Sequence, residues 1–199
     1  MSVEPEGRAG SAPSEPVRAV VALGSNLGDR DLTLRRAVGD LDRTAGVSVV
    51  GASVPIESVA VTVDGLDESK PPYLNGVAVV STTLAADDLL TELNRIESDH
   101  GRVRLERWGD RTLDLDLIVY GDEVRDTERL TLPHPRAAER SFVLEPWLQV
   151  DADAVLPGAG RVDAILRSLG DPVAHVAGAA PLDVPLAESS VAGREGGTA

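Results

Sequence analysis

From Val17 to Leu23 the chain is apolar at every position except Arg18, and the run stops at Gly24. A run this short, rich in β-branched valine, predicts a buried strand. Gly24-Ser25-Asn26-Leu27-Gly28-Asp29 then predicts a turn, with Asp29 or Asp31 placed to cap a helix. Leu34, Val38 and Leu41 follow helical spacing through about Thr44. Val47–Val54 and Leu74–Thr82 read as further strands. Leu89, Leu93 and Ile96 mark a second helix, with Asp87 and Asp88 in its first turn, where the macrodipole favours negative charge. Leu113–Tyr120 predicts a strand closed by a Gly121-Asp122 turn, and a shorter strand falls near Arg129–Leu132. A short helix from Val162 to Leu169 stops at Gly170. Ser58–Pro72 is left as a long connection, of the length at which loops tend to be lids or binding loops.

The order strand-helix-strand-strand-helix-strand is that of the ferredoxin-like split βαβ unit. The expected fold class is therefore α+β, a largely antiparallel sheet with helices packed on it. Residues 1–16 are rich in Pro, Gly, Ser and Glu, and residues 177–199 look similar. They predict a disordered arm and a disordered tail around one domain at 17–176.

Composition narrows the chemistry. The net charge of −14 opposes binding to nucleic acid or to anionic membranes. No apolar run approaches the ~18 residues of a membrane span, and the first residues lack the basic start and apolar run of a secretory signal. A cytoplasmic protein is the expectation. Zero Cys removes disulfides and thiolate nucleophiles, and Lys70 is the only lysine, so no Gly-rich phosphate loop ending in Lys can form. His100, His134 and His175 are too scattered for a histidine-rich zinc site.

The informative segment is Gly101 to Tyr120, GRVRLERWGDRTLDLDLIVY. Leu113, Leu115 and Leu117 alternate with Asp114 and Asp116, so the two carboxylates share one strand face. A solvated outer face would explain the alternation alone. Yet Asp is a poor strand former, and two carboxylates ~7 Å apart repel unless a cation sits between them. Hard oxygen ligands on a rigid strand suit Mg²⁺. Arg102, Arg104, Arg107 and Arg111 lie just upstream. They could pair with Glu97, Asp99, Glu106 and Asp110 in a surface network, or grip phosphate oxygens bidentately. An anion clamp beside a metal platform is what phosphoryl transfer requires. A second basic group, Arg129, His134, Arg136 and Arg140, offers either a solvated face or a further wall around a polyphosphate.

GSNLGD (24–29), YLN (73–75), GRVR with RWGDRTLDLDLI (101–118), and LPHPR with RSFVLEP (132–146) occur in that order. Together they resemble the 6-hydroxymethyl-7,8-dihydropterin pyrophosphokinase family over about residues 17–150. The resemblance implies a ferredoxin-like transferase of folate biosynthesis that moves pyrophosphate from ATP to the pterin and releases AMP. It implies that Asp114 and Asp116 hold two Mg²⁺ ions. ATP would meet Arg104, Arg107, Leu117, Arg129, Thr131, His134 and Arg140. Arg102 and Arg111 would act on the transferring group, with Glu97 supporting the basic loop. The pterin would meet Ser58, Val61, Tyr73, Asn75, Trp108 and Phe142. Small-molecule substrates and a monomer are expected, without nucleic acid or membrane partners. The chain departs from the family pattern at Pro55–Val61, where Ser58 stands for a usual threonine, at Asp110 beside Arg111, and in the spacing of GRVR to Glu106. The competing readings are a Mg²⁺-dependent kinase or nucleotidyltransferase with another acceptor, and a non-catalytic nucleotide-binding module.

Overall fold

A computed structural model describes residues 13–62, 65–67, 71–101, 112–170 and 173–183. Strand β1 (Val17–Ser25) leads into helix α1 (Arg30–Arg43), followed by β2 (Val47–Ala52) and β3 (Ile56–Ser58). A small hairpin, β4 (Ala60–Thr62) and β5 (Gly65–Asp67), precedes β6 (Tyr73–Thr82) and α2 (Ala86–Asp99). Then come β7 (Asp114–Tyr120), β8 (Arg125–Asp126), β9 (Thr131–Leu132) and α3 (Ser141–Val150). The described chain ends with β10 (Val155–Leu156), β11 (Gly160–Arg161), α4 (Val162–Leu169) and β12 (Ala174–His175).

The main sheet runs β12-β3-β6-β1-β7, with β2 also paired to β6, and the pairings are antiparallel. The first strand thus lies between the third and fourth long strands, the ferredoxin-like arrangement expected from the element order. Helix α1 starts where Asp29 accepts the Leu32 amide on its side chain at 3.1 Å, satisfying one orphan donor of the first turn. Helix α4 stops at Gly170, which takes the left-handed conformation at φ 67° that favours glycine.

The sheet is covered on both faces. Ala19, Val21, Leu23, Ala78, Val80, Leu115 and Leu117 pack beneath α1 and α2 through Leu34, Leu41, Leu89, Leu93 and Ile96. The opposite face carries Val20, Ala22, Val77, Val79 and Ile118 beneath Val143, Leu144 and Trp147 of α3 and Val162 of α4. Two-sided burial explains why β1 and β6 read as nearly continuous apolar runs instead of alternating ones.

Three features differ from the sequence expectation. The long connection after β3 contains the β4–β5 hairpin. Helix α3 forms across Pro146, which reads locally as a breaker; its apolar face rewards the helix against β6. The tail expected from residue 177 onward is docked as far as residue 183. Leu182 is 2% exposed, and its amide donates to the Ser53 carbonyl at 3.0 Å. Leu182 stands in a proline-interrupted stretch, AAPLDVPL, where nothing local reports the distant pocket it fills.

Candidate active site

The strand register assembles the site. Gly24 of β1 lies between Asp114 of β7 and Asn75 of β6, and one step along the same face Ala22 lies between Asp116 and Val77. Tyr73 is registered with Ser58 of β3. Because partners across a sheet share a face, Asp114, Asp116, Asn75, Tyr73 and Ser58 all point toward the α3 side. The alternation read from the sequence holds: Leu113, Leu115 and Leu117 are buried, whereas Asp114 and Asp116 are half-buried. Gly24 is inside the strand, not in the turn. A Cβ there would come within 3.4 Å of Asn75 Oδ1 and 3.8 Å of the Tyr73 ring. A glycine inside a strand pattern marks such a close approach and was the available signal.

Phe142 and Val143 at the start of α3 form the opposite wall of a cavity of about 250 Å³. Tyr73 and Phe142 are both half-buried cavity residues, and Phe142 also packs against the core on the α3 side. Asn75 is 5% exposed, and its Nδ2 donates to Ser58 Oγ at 2.9 Å. A second cavity, about 260 Å³, adjoins the first and shares Asp116 and His134 with it. Leu117, Arg129 and Thr131 line this second space, together with Leu90, Thr127, Glu128 and Leu130, which the sequence did not single out.

The polar groups at the junction are coupled. Arg140 Nη1 donates to Asp116 Oδ2 at 2.8 Å, and the guanidinium carbon lies 5.7 Å from the Phe142 ring centroid. His134 Nε2 is 3.9 Å from the same carboxylate oxygen, while its Nδ1 accepts the Arg136 amide. Burial pushes the His134 imidazole below its ordinary value. The Asp116 and Asp114 carboxylates pull it upward, Arg140 and Arg136 push it further down, and the net shift is downward. The second basic group divides: Arg140 and His134 face Asp116, Arg129 lines the second cavity and donates to Thr91 Oγ1 of α2 at 2.6 Å, and Arg136 turns to Glu139.

Glu97 lies near the end of α2, and the basic loop it was expected to support is outside the described residues. Glu97 is 2% exposed and accepts the Leu115 amide at 2.7 Å, fastening β7 between the two aspartates. Of Val61, the structure describes the strand but not the side chain. Arg102, Arg104, Arg107, Trp108 and Arg111 lie outside the described residues.

Among the described residues no group of three His, Asp or Glu side chains could hold a metal. The donor set nonetheless fits a hard divalent cation. Mg²⁺ is commonly held by one or two carboxylates plus water and substrate phosphates, and Asp114 and Asp116 open together on the cavity.

The sequence profile of the family described as 7,8-dihydro-6-hydroxymethylpterin-pyrophosphokinase matches residues 20–152. The chain belongs to this family. A Haemophilus influenzae 2-amino-4-hydroxy-6-hydroxymethyldihydropteridine pyrophosphokinase is 37% identical over 155 residues, 78% of this chain and 94% of the relative. The Synechocystis enzyme of the same name is 41% identical over 143 residues, 72% of this chain and 71% of its own length. The fold is shared with Plasmodium falciparum HPPK-DHPS crystallised with pteroate, at TM-score 0.61 and 11% identity, covering 77% of this chain and 44% of that one. Membership in the pyrophosphokinase family agrees with the resemblance carried by the four sequence blocks, and no described helix is long and apolar enough to cross a membrane.

Proposed function

We propose that the chain transfers pyrophosphate from ATP to 6-hydroxymethyl-7,8-dihydropterin, giving AMP and the pterin diphosphate, with Mg²⁺ as the metal. The observation that carries this reading is the pair of adjoining cavities that meet at Asp116 and His134. One is walled by the rings of Tyr73 and Phe142 and offers Asn75 at its floor, the composition a flat heterocycle requires. The other has Thr131, Arg129 and Leu117 and suits a nucleoside. A polyphosphate joining the two would pass the carboxylates, which is where phosphoryl chemistry needs its charge neutralised.

In this reading Tyr73 and Phe142 sandwich the pterin, and Asn75 orients its ring edge with Ser58 holding the amide. Val61 and Trp108 are further candidates on that side. Arg140 and His134 contact the polyphosphate, joined by Arg104 and Arg107, while Arg102 and Arg111 settle on the transferring group. Asp114 and Asp116 would hold two Mg²⁺ ions, whose chemistry is to neutralise the phosphate oxygens. The pterin hydroxymethyl oxygen bonds to the β-phosphorus and the bridging oxygen between the α- and β-phosphorus leaves with AMP. The hydroxyl proton passes to water. His134, 3.9 Å from Asp116, is a hydrogen-bonding group in this scheme, which needs no side-chain general base. The catalytic domain begins at residue 17 and takes in the tail docked as far as residue 183, and it works as a monomer in the cytoplasm.

Incubation of the protein with ATP, Mg²⁺ and the hydroxymethyl pterin, followed by separation of nucleotides, tests the reading. AMP and pterin diphosphate should appear in equal amounts, and Asp114→Ala should lose several orders of magnitude in rate. ADP in place of AMP, or an Asp114→Ala protein as active as the parent, would sink it.

A further inference from the structure

The segment from residue 173 to residue 183 lies beyond the part of the chain matched by the family profile, which ends at 152. Its course passes around the open edge of β3. On the α3 side, Ala174 and His175 pair with Glu57 and Ile56 of β3, and His175 Nε2 meets Glu145 of α3 at 2.9 Å. A turn through Gly178, at φ 72°, carries the chain to the opposite face. There Arg35 of α1 donates to the carbonyls of Pro181 at 2.7 Å and Ala180 at 3.0 Å. Asp183 Oδ2 accepts the amide of Ala52 at 3.2 Å.

Leu182 is the anchor. It is 2% exposed and seats directly under Gly76, where a Cβ would lie 2.5 Å from Leu182 Cδ1. Gly76 immediately follows Asn75, the residue at the cavity floor, so the leucine fills the space behind the strand segment whose front face carries the site. The absence of a side chain at residue 76 is what makes room for it. β3 has three residues and pairs with β6 along one edge, so its other edge depends on β12. Ser58, the last residue of β3, is the acceptor that fixes the Asn75 amide.

We propose that residues 173–183 form a strap that positions the acceptor pocket, holding β3 against β6 and thereby aiming Asn75 and Ser58. The inference rests on the assignment of that cavity to the pterin. Among the described residues, the strap's strand pairing, hydrogen bonds and ion pair go to β3, α1, α3 and the β2–β3 bend, and none of these goes to a residue lining the second cavity. Its loss therefore acts on the acceptor and not on the nucleotide. Strapped β3 is preorganised for binding; unstrapped β3 has to be ordered by the ligand.

The test uses full-length Leu182→Ala and Gly76→Ala, their double variant, Leu182→Met, and a chain ending at residue 183 as control. Equilibrium binding of the pterin and of Mg-ATP is measured separately, with amide exchange read at residues 56–58. Leu182→Ala should weaken pterin binding about tenfold and speed exchange in β3 while nucleotide affinity stays within about twofold. Leu182→Met should restore both, and the control should match the parent. Gly76→Ala should mimic Leu182→Ala, and the double variant should be no worse than Leu182→Ala alone, because both remove the same contact. Unchanged pterin affinity in Leu182→Ala, or an equal loss for both ligands, overturns the strap. Phe142→Ala separates the two readings: if it binds the pterin as the parent does, the pocket assignment fails and the strap's role fails with it. If Phe142→Ala loses affinity while Leu182→Ala does not, the strap alone is wrong.

Discussion

Arg140 Nη1 and Asp116 Oδ2 stand 2.8 Å apart, so a cation of the protein itself occupies the carboxylate on which a metal would sit. The pair is largely withdrawn from water, with Arg140 the more buried partner. Both groups face the junction of the two cavities, and the guanidinium competes with any divalent ion for the same oxygen. Removing it leaves Asp116 Oδ2 without a competing cation and the polyphosphate short of one fixed positive charge. Arg140→Ala should therefore lower the Mg²⁺ concentration needed for half-maximal rate while cutting kcat/KM by roughly 10- to 100-fold. A Mg²⁺ titration of initial rates in the two proteins reads both quantities. A higher Mg²⁺ requirement in the variant would show that Arg140 assists the metal instead of competing with it.

The aromatic walls give a second prediction. Stacking of a heterocycle on an aromatic side chain is worth about 1–3 kcal/mol by alanine substitution, so Phe142→Ala should weaken pterin binding by roughly 5- to 150-fold. Phe142→Tyr should lose little. The loss belongs in pterin affinity measured without nucleotide, because Phe142 lines the first cavity and not the second. Mg-ATP binding to Phe142→Ala should match the parent.

Glu97 supports a third. Its buried Oε1 accepts the Leu115 amide at 2.7 Å, on the strand that holds both aspartates. An alanine would orphan that amide, and a lost buried acceptor costs about 1–3 kcal/mol. Glu97→Ala should lower both stability and kcat, since β7 can then shift under Asp114 and Asp116. Glu97→Gln keeps a carbonyl acceptor and should retain most of each. Equal losses in the two variants would mean that the charge of Glu97, and not its bond to β7, is what matters. Urea unfolding together with initial rates distinguishes these outcomes.

How far these relationships were legible beforehand depended on their range. The strands and first two helices follow from apolar spacing, because burial against a single face leaves a local trace in the sequence. Asp114 and Asp116 were equally readable, since a strand places i and i+2 on one face whatever its neighbours. Asn75, Tyr73 and Phe142 came from the family resemblance, and no local pattern distinguishes a pocket aromatic from a core one. Gly24 was read as a turn because a glycine's role depends on what crosses it, here Asn75 and Tyr73 on the adjacent strand. The bond from Leu115 to Glu97, the docking of Leu182 and helix α3 escaped for a common reason. The partner that stabilises each lies at a distance in sequence that hydrophobic periodicity does not encode: Leu115 for the first, Gly76 for the second, the β6 face for the third.

Tyr120 ends β7 with its hydroxyl donating to the Leu84 carbonyl at 2.7 Å, joining the strand to the start of α2. Tyr120→Phe removes the donor while leaving the ring in place. The expected cost is about 0.5–1.5 kcal/mol of stability, with activity at 25 °C unchanged because Tyr120 is on the far end of the strand from Asp114. A thermal or urea unfolding curve checks the first part and an initial-rate assay the second.

The acid limb of stability should contain a contribution from Asp40. Burial raises its carboxyl pKa, but hydrogen bonds from His100 and Arg43 and the charges of both outweigh this, and the net value falls below 3.8. The contacts are short, 2.7 Å from His100 Nε2 and 2.6 Å from Arg43 Nη2; the first joins α1 to the end of α2, and the second lies within α1. A carboxyl whose folded value is depressed binds its proton more readily in the unfolded chain. Its stabilising contribution is therefore complete above the unfolded value and disappears as pH drops through the folded one. Asp40→Asn cannot titrate and should lack this component. Thermal unfolding from about pH 6 to about pH 3 should show the parent's advantage over Asp40→Asn shrinking as the solution is acidified. A gap between the two proteins that stays constant across that range would mean that Asp40 contributes through packing or neutral hydrogen bonds, with its charge irrelevant to how α1 and α2 are held together.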